Sequence, residues 1–132
     1  MKYFRLLVSL LLIAVCFAGC NPRGGNKASD NSGGLNRNPT HIRYSKHARC
    51  RMDCRNITQN EIVDLIHRGY INYKKCNLTG DECHKRYAIE GYEQNAKLRI
   101  IVAECGNEAT VITCIDLDHD WPCTCPGDER HH

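Results

Sequence analysis

Apolar residues change their spacing along the chain near Gly69. Before Gly69 they recur at every third or fourth position, which is typical of helices, and after it they alternate with polar residues, which is typical of strands. Thr58 and Glu61 form a capping-box pattern, in which the hydroxyl and the carboxylate satisfy backbone N–H groups at the start of a helix. Gly69 stands where a left-handed C-terminal cap would end that helix. The predicted buried stripe consists of Ile62, Leu65 and Ile66.

A shorter helix is predicted over residues 46–54, because Ser45 is a good N-cap and the following segment contains no Gly, Pro or β-branched residue. Ala48 and Met52 share one face of this helix, which we expect to pack on the core. The neighbouring stripe carries four residues, His47, Cys50, Arg51 and Cys54. Its two cysteines therefore point the same way.

Four strands are predicted after the helices, and the last three are separated by turns short enough for antiparallel hairpins. The strands cover residues 70–73, 86–92, 98–104 and 110–117. The predicted fold class is α+β, with two N-terminal helices packed on a three- to four-stranded antiparallel sheet.

Residues 1–19 have the pattern of a secretory signal peptide, with Lys2 and Arg5 ahead of an apolar run that is too short to span a membrane. The sequence from Phe17 to Cys20 resembles the lipobox of bacterial lipoproteins. This resemblance implies that Cys20 carries the lipid and becomes the first mature residue.

Residues 20–39 are rich in Gly, Asn and Ser and hold a single large apolar side chain, Leu35, so we expect a lipidated, flexible tether. One small domain is predicted over residues 40–127, with a disordered tail at residues 128–132. A domain of this size buries too little apolar surface to be stable through its core alone, and covalent cross-links are therefore expected.

An even number of cysteines in a small exported domain predicts a disulfide framework. The cysteines after Cys20 are Cys50, Cys54, Cys76, Cys83, Cys105, Cys114, Cys123 and Cys125. The first two are one helical turn apart and the last two are two strand positions apart, so each pair presents its thiols on one side. We therefore expect the first pair to bond to the last pair. Of the others, Cys76 with Cys83 would close a polar loop, and Cys105 with Cys114 would clamp the last hairpin.

Zinc is the alternative use of the first and last cysteine pairs, with His47 as a further ligand. Structural zinc sites usually take their ligands from Cys-x-x-Cys motifs, whereas the spacings here are Cys-x-x-x-Cys and Cys-x-Cys. An oxidising compartment also disfavours free thiolates. We therefore expect no metal and no cofactor.

A motif of the form Ser-x-His-Ala-x-x-Arg-Met-x-x-Arg-x-Ile occupies Ser45 to Ile57. It is followed by a glycine that ends the next helix, by Arg86-Tyr87 with Gly91, and by the strand Val111-Ile112-Thr113. Together these features resemble a widespread uncharacterised bacterial domain that is similar to the small toxin ribonucleases of the RelE and BrnT type. The resemblance covers about Tyr44 to Leu117 and implies helices packed on a twisted antiparallel sheet.

Ribonuclease chemistry needs a base, an acid and cations around the scissile phosphate. Five residues are candidates for those roles, His47, Arg51, Arg55, Arg86 and Tyr87. All but Arg86 also have a purely structural interpretation, and a lipid-tethered periplasmic protein meets little RNA. The formal net charge of +3 is smaller than nucleic-acid-binding domains usually carry.

These observations favour a non-catalytic, lipid-anchored module of the bacterial cell envelope that faces the periplasm. The alternative is a RelE-like ribonuclease or a toxin domain derived from one, so whether the protein is an enzyme stays open. We expect contact with the membrane through the N-terminal lipid and with an envelope protein, and none with nucleic acid. Tyr70, Tyr73 and Tyr92 are the predicted contact residues.

Overall fold

The computed structural model describes residues 34–94 and 96–128 of the 132-residue chain. Its helices and strands, in chain order, are β1 (His41–Tyr44), α1 (Lys46–Arg55), α2 (Gln59–Arg68), β2 (Tyr70–Ile71), β3 (Arg86–Glu93), β4 (Ala96–Cys105) and β5 (Glu108–Asp116). Short 3₁₀ turns lie at Tyr73–Lys75 and Glu82–His84. The predicted signal peptide at residues 1–19, the lipidated Cys20 and most of the tether lie outside the described residues. None of the helices in the described part is long and apolar enough to cross a membrane.

The fold is α+β, as predicted, but the sheet has five strands in the order β1-β5-β4-β3-β2 and is mixed. Strand β1 pairs with β5 in parallel, while β2 to β5 pair antiparallel. The prediction of a purely antiparallel sheet of three to four strands behind N-terminal helices was therefore wrong in these respects. The missed strand has four residues, and only Ile42 and Tyr44 pack against the core. Its pairing with β5 spans more than 60 residues of sequence, so local patterning does not reveal it.

Both helices pack on one face of the sheet. Helix α1 covers β5, where Cys114 Sγ lies 3.9 Å from the Ala48 carbonyl, and the predicted core contacts Ala48 and Met52 are buried. Helix α2 covers β3 through Leu65, which faces Gly91. The predicted stripe of α2 is buried. Among the described residues the opposite face of β3 to β5 carries no α-helix, although the 3₁₀ turn Glu82–His84 is bonded to the end of β4 through Cys83 and Cys105.

The helix starts follow the predicted local chemistry. Ser45 caps α1 by accepting a hydrogen bond from the Ala48 amide at 2.9 Å. Thr58 and Glu61 form the complete capping box at the start of α2. The predicted end of α2 was wrong in its conformation, because Gly69 is extended, at φ −62° and ψ 153°, and not left-handed.

Close packing explains why glycine stands at position 69. A Cβ there would lie 2.6 Å from Ile89 Cγ2, 2.7 Å from the Leu65 carbonyl oxygen and 3.0 Å from the Glu90 carbonyl oxygen. Two of these three atoms belong to the backbone, so they cannot move aside as a side-chain end can.

Gly69→Ala is therefore expected to lower the free energy of unfolding by about 2 kcal/mol, since overpacking against backbone displaces whole elements. Gly91→Ala is the matched control. Its Cβ would meet Leu65 Cδ2 at 2.7 Å, which is the end of a flexible side chain, and we expect a loss of less than about 1 kcal/mol. Urea denaturation at 25 °C compares the two variants. Equal losses would show that the backbone approach at Gly69 is not the constraint.

The folded unit begins before the predicted boundary at residue 40. Leu35 is buried, the Asn36 amide donates to Glu104 Oε2 at 2.9 Å, and Arg37 Nη1 donates to the Ile66 carbonyl at 3.0 Å. The single large apolar side chain of the predicted tether thus docks on the core. Its neighbours satisfy polar groups at the ends of β4 and α2.

Candidate functional site

Two disulfides join α1 to the C-terminal part of the chain. Cys50 is bonded to Cys125 with a Cα–Cα distance of 5.8 Å, and Cys54 is bonded to Cys123 at 6.0 Å. The helix cysteines thus pair with the tail cysteines, as their side-chain directions predicted. Residues 121–128, here called the strap, are held along α1 by this double link and contain no α-helix or strand.

The other four cysteines do not pair as predicted. The third disulfide joins Cys83 to Cys105, while Cys76 and Cys114 are free thiols, so the pairs Cys76–Cys83 and Cys105–Cys114 were wrong. Cys114 lies opposite Ile100 in the sheet, an odd number of positions from Cys105, so the two cysteines face opposite sides.

Cys76 is turned toward the edge of β3. Its Sγ accepts a hydrogen bond from the Ala88 amide at 3.2 Å and lies 3.4 Å from the Asn72 carbonyl. The thiol thus satisfies the backbone at this edge, while its predicted partner Cys83 is bonded to Cys105.

Both ring nitrogens of His47 are engaged, one by the strap and the other by α1. Its Nδ1 lies 2.9 Å from the Pro126 carbonyl oxygen, and Arg51 Nε donates to Nε2 at 3.4 Å. An accepting Nε2 requires the proton on Nδ1, so Nδ1 donates to Pro126. His47 therefore links the strap to the next turn of α1.

Arg51 makes the main ionic contact with the strap. Its Nη2 lies 2.6 Å from Asp128 Oδ1, and Nη1 lies 3.5 Å from the Cys123 carbonyl oxygen. The other carboxylate oxygen of Asp128 accepts a hydrogen bond from the Cys125 amide at 2.7 Å. The Cys125 hydrogen bond and the neighbouring Arg51 lower the pKa of Asp128. Asp128, which the sequence assigned to a disordered tail, therefore closes the contact between the strap and α1.

Arg55 is used at the last turn of α1. Its Nη1 donates to the Cys114 carbonyl, and its Nε is buried without a hydrogen-bond partner in the part of the chain that the structure describes. Burial and the charge of Arg51 lower the pKa of Arg55. Arg55 thus anchors α1 to β5.

Arg86 and Tyr87 lie apart from these three residues. Tyr87, at 4% exposure, belongs to the core under the helices. Arg86 is its neighbour on β3, so its side chain leaves the opposite face of the sheet, where Nη1 donates to the Cys83 and Lys85 carbonyls. The structure thus brings together His47, Arg51 and Arg55, but separates Arg86 from them by the sheet. The ribonuclease interpretation stays a prediction.

The zinc alternative is contradicted by the disulfides. All four cysteines that it required are bonded in pairs, so none of these four is available as a thiolate ligand. Within residues 34–94 and 96–128, no group of three or more His, Cys, Asp or Glu side chains is placed to hold a metal ion.

A buried carboxylate that sequence reasoning missed lies on the face of the sheet without helices. Glu90 is 1% exposed and accepts hydrogen bonds from Tyr70 Oη, Arg99 Nε at 2.7 Å and Asn72 Nδ2 at 2.8 Å, while Lys97 Nζ lies 3.5 Å away. Burial alone would raise its pKa, but the hydrogen bonds from Tyr70, Asn72 and Arg99 lower the pKa of Glu90 to about 2. Tyr70, Glu90 and Arg99 lie side by side on three neighbouring strands. An accurate prediction of the strand register would have revealed this cluster.

Asp116 fixes the start of the strap. Its Oδ2 accepts from Trp121 Nε1 at 2.9 Å and lies 3.0 Å from His119 Nδ1, and its Oδ1 accepts from the amides of Asp118 and His119. Burial opposes ionisation, but the bonds from Trp121, Asp118 and His119 lower the pKa of Asp116 to about 2. The chain is thereby turned back toward α1 immediately after β5.

The carboxylates of Glu90 and Asp116 predict that the stability of the fold is sensitive to acid. Their ordinary pKa values of 4.5 and 3.8 both fall to about 2 in the folded protein, so the ionised forms stabilise the fold. This contribution is complete above about pH 5 and is lost as the pH falls toward 2. Urea midpoints measured from pH 7 to 2.5 should therefore fall steeply below pH 5, and less steeply in Glu90→Gln/Asp116→Asn. Identical profiles for the two proteins would contradict the assignment.

The predicted contact residues Tyr70, Tyr73 and Tyr92 are each at least half exposed. Tyr70 and Tyr92 lie on the same side of the sheet as Glu90, since Tyr70 pairs with Glu90 and Tyr92 is two positions further along β3. Lys97, opposite Tyr92, stands over the Tyr70 ring at 5.8 Å from its centroid. This helix-free face combines exposed aromatic rings with buried charge.

No curated protein and no solved structure matches the chain. The model of one protein family does match, over residues 44–116, which run from the end of β1 to the end of β5 and make up more than half of the chain. The matched region excludes the strap, so the Cys123 and Cys125 ends of both strap disulfides lie beyond it. On this match the chain belongs to the family described as Domain of unknown function (DUF4258).

Proposed function

We propose that this protein is a non-catalytic, lipid-anchored module of the bacterial cell envelope that binds another envelope protein. The observation that carries the proposal is the double disulfide link between α1 and the strap. Disulfides of this kind persist in oxidising compartments, and small exported domains use them to supplement a small core. The lipobox resemblance at Cys20 supports the same location.

The contacts of His47 and Arg51 support a non-catalytic role. A general base must have a nitrogen within reach of a substrate proton, and both nitrogens of His47 are engaged, by Pro126 and by Arg51. Arg51 is only 16% exposed and is paired with Asp128. The residues that a ribonuclease would need open to RNA are thus used to hold the strap.

The helix-free face of the sheet is the surface we assign to the partner. Tyr70 and Tyr92 are exposed there, and tyrosine is enriched at protein interfaces because it offers a large rigid surface with a polar end. The ion pairs from Glu90 to Arg99 and Lys97 fix the surface between the two rings. The strap and α1 lie on the other side.

Metabolic labelling with an alkyne fatty acid tests the anchor in bacteria that express the full chain. The wild-type protein should take up the label and fractionate with membranes, Cys20→Ser should do neither, and Cys16→Ser, the matched control, should behave as wild type. Absence of label on the wild type, or label that persists in Cys20→Ser, would contradict the anchor.

A photo-crosslinking amino acid at position 92 tests the binding surface. We expect a discrete adduct with an envelope protein from position 92 and none from position 67, which is exposed on α2. An equal yield from both positions would contradict the assigned face. RNA cleavage by the purified domain that disappears in His47→Ala would support the ribonuclease alternative instead.

A further inference from the structure

The carboxylate of Asp128 is bound in the manner of a ligand. One oxygen contacts Arg51 Nη2 at 2.6 Å, the other accepts from the Cys125 amide at 2.7 Å, and His47 Nδ1 lies 4.0 Å from the first. A guanidinium and a backbone N–H group thus hold the anion, and an imidazole that donates to Pro126 lies beside it. These are groups that proteins use to bind carboxylates and phosphates.

Two of these three donors belong to α1 and do not depend on the strap. The helix carries Lys46, Arg49, Arg51 and Arg55 against a single acid, Asp53, and has no acidic residue in its first turn. Of these cations, Arg51 and Arg55 lie on the same side of α1 as His47. Without Asp128, Arg51 would have no carboxylate among the ion pairs of the described residues.

The strap is attached to α1 mainly through its disulfides. It forms no α-helix or strand, and its other contacts with α1 include the hydrogen bonds and ion pairs of His47 and Arg51. Its base is fixed separately, by Trp121 on Asp116. Breaking the two disulfides would therefore leave residues 122–128 without a covalent link to α1, held there only by non-covalent contacts that a competing anion can replace.

We infer that His47 and Arg51 form an oxyanion-binding site on α1, that Asp128 fills this site as an internal ligand, and that reduction of the two strap disulfides by a dithiol opens it to the phosphate or carboxylate group of another molecule. In each reduction the S–S bond breaks, the two sulfurs take up two electrons and two protons, and the dithiol becomes a disulfide. Two dithiols thus release Cys50, Cys54, Cys123 and Cys125 as thiols. The inference does not depend on the lipid anchor or on the partner assigned to the opposite face.

Removing the internal ligand while keeping the disulfides tests the site. The midpoint of thermal unfolding is measured in sodium phosphate, sodium acetate and sodium chloride at equal ionic strength. Asp128→Ala should melt about 5 °C higher in phosphate than in chloride, because an anion that binds only the folded state stabilises it. Wild type should show no difference. A shift in phosphate but not in acetate assigns the site to phosphate, and the reverse assigns it to carboxylates.

Two controls separate a site from a general salt effect. Asp120→Ala removes an exposed acid near the strap and should not respond to phosphate, and Asp128→Ala/Arg51→Gln should lose the response of Asp128→Ala. The absence of an anion-specific shift in Asp128→Ala, or an equal shift in Asp120→Ala, would overturn the inference.

Reduction of the wild-type protein tests the opening step. Dithiothreitol should make the His47 ring signals in NMR spectra respond to added phosphate, whereas Cys83→Ser/Cys105→Ser, which lacks only the third disulfide, should not respond without reductant. If the reduced, folded protein does not respond, the strap does not open on reduction and that step is wrong.

Discussion

Removing both strap disulfides is expected to lower the free energy of unfolding by about 5 kcal/mol, whereas removing either one alone should cost about 2 kcal/mol. The reason is that the two links are nested, since Cys50–Cys125 closes a separation of 75 residues and Cys54–Cys123 one of 69 within it. Closing a loop of this length removes much entropy from the unfolded chain. When one of the two disulfides is already present, the other closes only the short ring between them. It therefore removes less entropy from the unfolded chain than it would alone.

Urea denaturation of Cys50→Ser/Cys125→Ser, of Cys54→Ser/Cys123→Ser and of the quadruple variant measures these losses. The quadruple variant should lose more than the two double variants combined. Cys83→Ser/Cys105→Ser serves as an independent control, because it opens a separate loop with a separation of 22 residues and should cost about 3 kcal/mol in any background. If the quadruple variant loses only the sum of the losses of the two double variants, the two strap disulfides constrain the unfolded chain independently, and the nested-loop explanation is wrong.

Glu90→Ala is expected to cost about 3 kcal/mol, although the substitution lies on the face of the sheet without helices. Arg99 and Lys97 would lose their carboxylate, and Tyr70 and Asn72 would lose their acceptor. Leaving a largely buried guanidinium without its partner is more costly than the value of the ion pair itself. Thermal unfolding at pH 7 measures the loss.

Glu93→Ala is the matched control on the same strand. Burial and the nearby charge of Asp64 raise the pKa of Glu93, so its charge is not favoured by the fold. Removing it should therefore be neutral or slightly stabilising. If both variants lose the same stability, the network around Glu90 is not what makes that residue important.

Features set by neighbouring residues could be predicted from the sequence. The helix caps at Ser45 and Thr58 are each a contact between residues three positions apart in the sequence. The pairing of helix cysteines with tail cysteines followed in the same way, because the spacing within each pair fixes a common direction. The order of pairing, Cys50 with Cys125, depends on the direction in which the strap crosses α1 and was left open.

Features set by register could not be predicted. Strand β1 depends on a partner at Glu108 to Val111, and the shift between Ile101 and Val102 changes which residues of β5 face the helices. Cys105 and Cys114 therefore looked like neighbours on one hairpin although the sheet turns them apart. Glu90 looked like an ordinary surface acid for the same reason, since its partners come from β2 and β4.

Asp128 shows a different limit of sequence reasoning. A charged residue near the end of a polar segment gives no local signal of structure, and its position follows only after the strap disulfides place it over Arg51. The sequence indicated His47 and Arg51 of α1 as candidate site residues, but it did not indicate their contacts with the strap.

A non-reducing peptide map of the protein, isolated from bacteria that express the full chain, tests the central claim most directly. It should contain one cross-linked species that joins the peptides of Cys50 and Cys54 to those of Cys123 and Cys125, and a second that joins Cys83 to Cys105, with Cys76 and Cys114 alkylated as free thiols. Recovery of Cys50 and Cys54 as free thiols would contradict the double disulfide link between α1 and the strap, and it would contradict the proposed function with it.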